Sequence, residues 1–241
     1  MTTAEFSTEF DVLYNNISSG QAPGLTEYEK SVFLTKAQSE IVKNYFNPKG
    51  NKYQEGFDDS PKRQIDFSML INTAECTPVE NENSLHDASN AKCYQIPDNI
   101  LIYINEFLEV IRNGRSIKLV VIPLGYSELN RLMSKPFRRP LKNQAWRLML
   151  DVKDGSSIVQ LIPGPSDEIS EYIVRYIKRP NPIVLEELTN EGVSIEGKTT
   201  VSDCELDPIL HQEILQRAVE LAKSAYTGDL TSAVELGNRS E

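Results

Sequence analysis

Apolar positions along this chain follow two rhythms. Phe6, Phe10, Leu13, Tyr14 and Ile17 recur at helical spacing, and the pattern stops at Ser18-Ser19-Gly20, a helix C-terminal signal. After Gln21-Ala22-Pro23-Gly24, the run TEYEKSVFLTKAQSEIVKNYF opens with Thr26 and Glu29 in capping-box spacing and carries Leu34, Ala37, Ile41 and Tyr45 on one face. Asn47-Pro48-Lys49-Gly50 ends it, and the breaker-rich residues 47 to 63 read as a long connection. A third helix starts at Asp207-Pro208, a cap followed by proline at the first helical position, with Leu210, Ile214, Ala218, Leu221 and Ala225 as its stripe.

Between these helices the rhythm changes. Ile65–Ile71, Cys93–Ile96, Ile100–Ile111, Ile117–Leu124, Ala145–Val152, Ile158–Ile162 and Ile169–Lys178 are short runs rich in β-branched and aromatic residues. Turn chemistry such as Arg112-Asn113-Gly114 and Lys153-Asp154-Gly155 separates them. Residues 72 to 91 read as a polar excursion, and Ser127–Ser134 as a short helix capped by Ser127. The C-terminal stripe must be buried, and the N-terminal helices offer the nearest faces of the same kind. The fold class expected is α+β: a helical bundle from residues 1–48 and 205–226 with an inserted antiparallel β-rich region at 64–185. Residues 186–204 would connect them, and 227–241 would form a tail or arm.

Charge sharpens one segment. The chain of 241 residues carries a formal −10, so contact with nucleic acid or anionic lipid would need a local basic patch. Residues 135 to 148, KPFRRPLKNQAWRL, supply it: six positive charges stand between Arg131 and Arg147 with no Asp or Glu among them. No run approaches a membrane span of roughly 18 to 20 apolar residues, and the polar, acidic MTTAEFSTEFD is neither signal nor transit peptide. Three widely spaced cysteines, Cys76, Cys93 and Cys204, make no disulfide framework and fit a reducing cytoplasm.

Catalytic chemistry is hard to find. The chain has no Gly-x-Gly-x-x-Gly, phosphate loop, Gly-x-Ser-x-Gly or His-Glu-x-x-His. His86 lies in a polar loop without metal-ligand spacing, and His211 reads as a surface or interface residue. The adjacent carboxylates Asp58-Asp59, Asp167-Glu168 and Glu186-Glu187 read as solvated faces, since a catalytic pair needs carboxyls from different segments. Trp146 could stack on a base, but a buried core Trp is the commoner case. No enzyme, cofactor or metal is expected.

Three passages carry a resemblance: FDVLYNNISSGQAPGLTEYEKSVFLTKAQSEIVKNYF, KPFRRPLKNQAWRL and CELDPILHQEILQRAVELAKSAY. From Phe10 to Tyr226 the chain resembles the head–tail connector, or ring, proteins of crAss-like bacteriophages and related large podoviruses. The resemblance implies a structural virion protein of the neck, made in the host cytoplasm. It would form a cyclic ring, a dodecamer, that joins portal protein to neighbouring tail proteins, with DNA passing through its channel without specific binding. Arg131, Lys135, Pro136, Phe137, Arg138, Arg139, Pro140, Lys142 and Arg147 are then expected at the subunit interface. Their basic groups would pair with acidic segments of a neighbour, while the prolines keep the arm stiff. The competing readings are a nucleic-acid-binding module built on residues 131–147 and an enzyme without a recognisable motif.

Overall fold

The computed structural model describes residues 1–17, 24–46, 61–80, 90–133, 140–153, 156–189 and 192–227. The chain divides into two compact units: a terminal unit of residues 1–70 with 180–241, and a central unit of residues 71–179.

In the terminal unit α1 spans Thr3–Ile17, α2 Glu27–Phe46, α3 Pro61–Asp66 and α5 Pro208–Thr227, with a 3-10 turn at Ser68–Leu70. The capping box of α2 forms in both directions. Thr26 N donates to Glu29 Oε2 at 2.8 Å, and Glu29 N to Thr26 Oγ1 at 3.3 Å. Thr2 and Glu5 make a second such box at α1, and Asp207 Oδ1 accepts from Ile209 N to start α5. Phe6, Phe10, Leu34, Ala37, Ile214 and Ala218 are fully buried, and α5 packs on α2 and α1.

The central unit is one eight-stranded sheet. Its strands are β1 Ile71–Glu75, β2 Thr77–Val79, β3 Lys92–Gln95, β4 Ile100–Arg112, β5 Arg115–Pro123, β6 Gln144–Lys153, β7 Ser156–Ile162 and β8 Glu168–Lys178. They lie in the order β1-β8-β4-β5-β6-β7-β3-β2. The two edge strands, β1 and β2, are consecutive in the chain with only Cys76 between them, and Cys76 N donates to Tyr172 O. The sheet therefore curls until its edges nearly meet, a barrel-like form. Register shifts at three points of the long β4 bend it as closure requires. Leu108, Val110, Leu119, Val121, Ala145, Tyr172 and Val174 fill the interior.

The expected fold class is corrected. The dominant architecture is this nearly closed eight-stranded sheet, not a helical bundle with an inserted β region. The sheet is also mixed: β5 and β6 run parallel, linked through the short helix α4, Tyr126–Met133. The helices depart from a bundle for a physical reason. One face of α2 is polar and buried, and it is satisfied by extended backbone in place of another helix. Thr35 Oγ1 donates to Ile183 O at 3.2 Å and accepts from Ile183 N at 3.1 Å, Leu185 N donates to Ser31 Oγ at 3.0 Å, and Gln38 Nε2 donates to Asn181 O at 2.8 Å.

Smaller expectations also change. Residues 71–79 form strands, not a polar excursion, and Ile65 lies inside α3 instead of opening a strand. Ser127 lies inside α4, where the carbonyl of Gly125 receives the Glu128 and Leu129 amides.

Candidate interaction surface

The basic stretch is held at both ends. On one side α4 buries Leu129 and Leu132 with Trp146, Leu148 and Ile162, which makes Trp146 a core residue. Arg131, on the exposed side of α4, lies 3.7 Å from Glu128. Lys135, Pro136, Phe137, Arg138 and Arg139 lie outside the described residues.

The chain is described again at Pro140, which is half-buried, and Lys142 is exposed. Gln144 N closes a turn on Leu141 O, and Val120 N of β5 donates to Asn143 O. Arg112, at the end of β4, donates through Nη2 to Lys142 O at 2.7 Å and to Asp167 Oδ2 at 2.7 Å, while its Nε reaches Asp167 Oδ1. Asp167 is buried, and Asn90 Nδ2 ties the Gly164 carbonyl to the same corner at 2.6 Å. A Cβ at Gly164 would stand 2.9 Å from Asp167 Oδ2, so glycine is what allows the carboxylate to close on the turn. Four segments converge to fix the root of the stretch. Asp167 is thus a structural anchor, in correction of the solvated face expected there. Glu168, Glu186 and Glu187 are exposed, and Asp58-Asp59 lies outside the described residues.

Arg147 sits elsewhere. It shares the inward parity of Ala145 on β6, whereas Trp146 and Leu148 face α4. Its guanidinium, buried, lies 3.2 Å through Nη1 from Glu106 Oε1 and 4.3 Å above the Tyr103 ring. Neither Nε nor Nη1 is aligned with a hydrogen-bond acceptor, so the Glu106 contact is a charge pairing. Tyr172 donates its hydroxyl to Glu106 Oε2 at 2.6 Å. Burial raises the Glu106 pKa, and the Tyr172 hydroxyl and Arg147 only partly oppose it. Arg147 is therefore committed inside the barrel. The signal was present in sequence: alternation along β4 puts Glu106 inward with Leu108 and Val110, and an inward carboxylate requires an inward cation.

His211 is buried, not a surface group. Its Nε2 bonds Leu206 O at 3.0 Å, its Nδ1 lies 2.6 Å from the Met1 ammonium, and its ring packs on Phe6. The three thiols are free, and burial pushes Cys76 up to about 12 and Cys204 up to about 11, which keeps them protonated and inert. His86 lies outside the described residues. Among the described residues no cluster of His, Cys, Asp and Glu is placed to hold a metal ion, and no helix is long and apolar enough to cross a membrane.

A protein family described as "Phage tail ring protein 3/4" matches residues 1–233 of the chain. The chain belongs to this phage tail ring protein family. The ring protein is 53% identical over 243 aligned positions to "Ring protein 4/5" of Bacteroides phage crAss001, with 100% of both chains covered. It is also 36% identical over 238 positions to "Ring protein 3" of the same phage, covering 95% of this chain and 99% of the relative. It is a structural protein of a phage virion. The buried Arg–Glu–Tyr cluster and the clamped turn are accordingly supports for a framework.

Proposed function

We propose that this ring protein forms a cyclic dodecamer in the phage neck, joins the portal to the tail, and extends the channel for DNA. The observation that carries the reading is its full-length likeness to relatives named ring proteins. A closed ring needs a heterologous contact in which two different patches of one subunit meet. Arg131, Lys135, Pro136, Phe137, Arg138, Arg139, Pro140 and Lys142 form one such patch. At the described end Lys142 sits on a turn that Arg112 and Asp167 hold, which lowers the entropy lost on docking. Arg147, turned into the barrel, sits outside that patch and steadies the strand that follows it.

Charge distribution favours the reading as well. The terminal unit holds 22 acidic and 11 basic residues, a formal −11, and the central unit 13 and 14, a formal +1. An acidic surface toward the channel would repel DNA and let it slide. Each exposed ion pair contributes only about 0.2 to 1 kcal/mol, so apolar anchors and ring closure must supply most of the affinity. Native mass measurement of the 27.2 kDa chain, alone and with isolated portal, tests the function. A closed multiple near about twelve is expected. Monomers under both conditions, or salt-sensitive DNA binding in place of self-association, would overturn it.

A further inference from the structure

Directly opposed residues on neighbouring strands share one face of a sheet. The pairs Ile173↔Phe107 and Phe107↔Val120 therefore set Ile173, Phe107 and Val120 in one row across β8, β4 and β5. Their chain neighbours Tyr172, Leu108 and Leu119 fill the barrel interior, so the row lies outside. Phe107 is 36% exposed, Val120 56%, and Ile173 is half-buried. Single exposed apolar residues are ordinary, but a continuous row over three strands marks a contact surface.

The row has a charged border. Glu75 stands opposite Ile173, and one step along the strands Glu171 directly faces Glu109. Like charges so placed repel, and Lys118 across from Glu109 offsets only one of them. On the other side Arg175 is engaged with Thr73 Oγ1 at 3.4 Å. The complement of this face is a cationic segment that also carries apolar side chains.

We infer that a second copy of this chain fills it, laying Arg138, Arg139 and Lys142, with Phe137 and Leu141 among them, over the row. The inference rests on the ring reading above and names the patch that receives the basic stretch. Leu141 is 67% exposed beside Lys142 on the clamped turn, so the described end of the stretch already presents an apolar and a cationic group outward. Phe107, Ile173 and Val120 take the apolar side chains, and Glu75, Glu109 and Glu171 take the guanidinium and ammonium groups. The stretch of one copy meets the face of the next, so every unclosed assembly keeps one free stretch and one free face.

Sedimentation velocity on the full-length chain, alone or on isolated portal, tests this with two variants. Phe107→Lys/Val120→Lys changes only exposed side chains of the face, and Arg138→Glu/Arg139→Glu reverses the stretch; circular dichroism checks that both stay folded. Each alone should need about tenfold or more protein to assemble. Mixed in equal amounts they should give dimers and no rings, because one sound stretch meets one sound face and nothing further can add. A face variant that assembles like wild type overturns the inference and leaves the ring reading intact. A mixture that stays monomeric while wild type assembles means the stretch of one copy does not dock on this face of another, which also overturns it. Wild type that never assembles removes the ring reading itself.

Discussion

The terminal and central units differ in where their polar groups are matched. In the terminal unit several buried polar side chains find partners within the unit, Asp66 Oδ2 being an exception: Lys30 Nζ reaches Asp11 at 2.6 Å, Glu27 at 2.9 Å and Ser7 at 3.2 Å, and Thr35 both donates to and accepts from Ile183. Glu205 similarly receives the backbone and side-chain amides of Asn181. The central unit seals one charge pair inside its barrel, leaves an apolar row and opposed carboxylates on its outside, and mounts the basic stretch on a clamped turn. A unit that matches most of its buried polar groups internally makes a stable frame. A unit that leaves complementary features unmatched is built to be matched by something else.

The largest test of this contrast lies inside the barrel. Arg147→Met removes the cation beside buried Glu106 and should cost about 3–5 kcal/mol in urea unfolding, because the carboxylate is left buried and unpaired. Adding Glu106→Gln should recover part of that loss. A change below about 1 kcal/mol for the single substitution would mean the pair is not what stabilises the barrel.

In the terminal unit Thr35→Val deletes both bonds to Ile183 at nearly constant volume and should cost about 1–3 kcal/mol, since the backbone groups stay buried without partners. Unchanged stability would break the claim that extended backbone, and not another helix, satisfies that face of α2. Thr26→Ala should be milder, about 1 kcal/mol, read as a lower thermal midpoint.

The smallest effect concerns pH. Burial pushes the His211 pKa below its ordinary 6.5; the Leu206 carbonyl opposes this and the N-terminal ammonium adds to it. The unfolded chain therefore takes up the proton first as pH falls. The stability His211 contributes is complete above pH 6.5 and is lost progressively below it. His211→Gln should flatten the fall between about pH 6.5 and 5 in denaturation midpoints. An undiminished slope in that variant would place the titrating group elsewhere.

Much of the local structure was legible because single residues carried it. Thr26 with Glu29 and Asp207 with Pro208 marked two helix starts, and Asn113-Gly114, with φ of 52° and 73°, closed the β4–β5 hairpin that Arg112-Asn113-Gly114 suggested. The runs from Cys93 to Lys178 became β3 to β8. Lost were β1 and β2, edge strands too polar to stand out, with Pro78 tolerated because it lies on the outermost strand. Without them the sheet has no way to come round to its own start, which is why the nearly closed form was missed and a helical bundle expected. The candidate site was legible as a charge pattern only. Alternation along β4 signals an inward cation for Glu106, but that Arg147 is that cation, and that Arg112 and Asp167 anchor the stretch, depends on pairings far apart in the chain.

Cryo-microscopy of the phage virion with this chain traced tests the central claim most directly. A closed ring is expected, with residues 131–142 of each copy against the outer β8-β4-β5 face of the next and DNA passing free of side-chain contact. The chain standing outside any ring, or its basic stretch lying on the DNA, would contradict it.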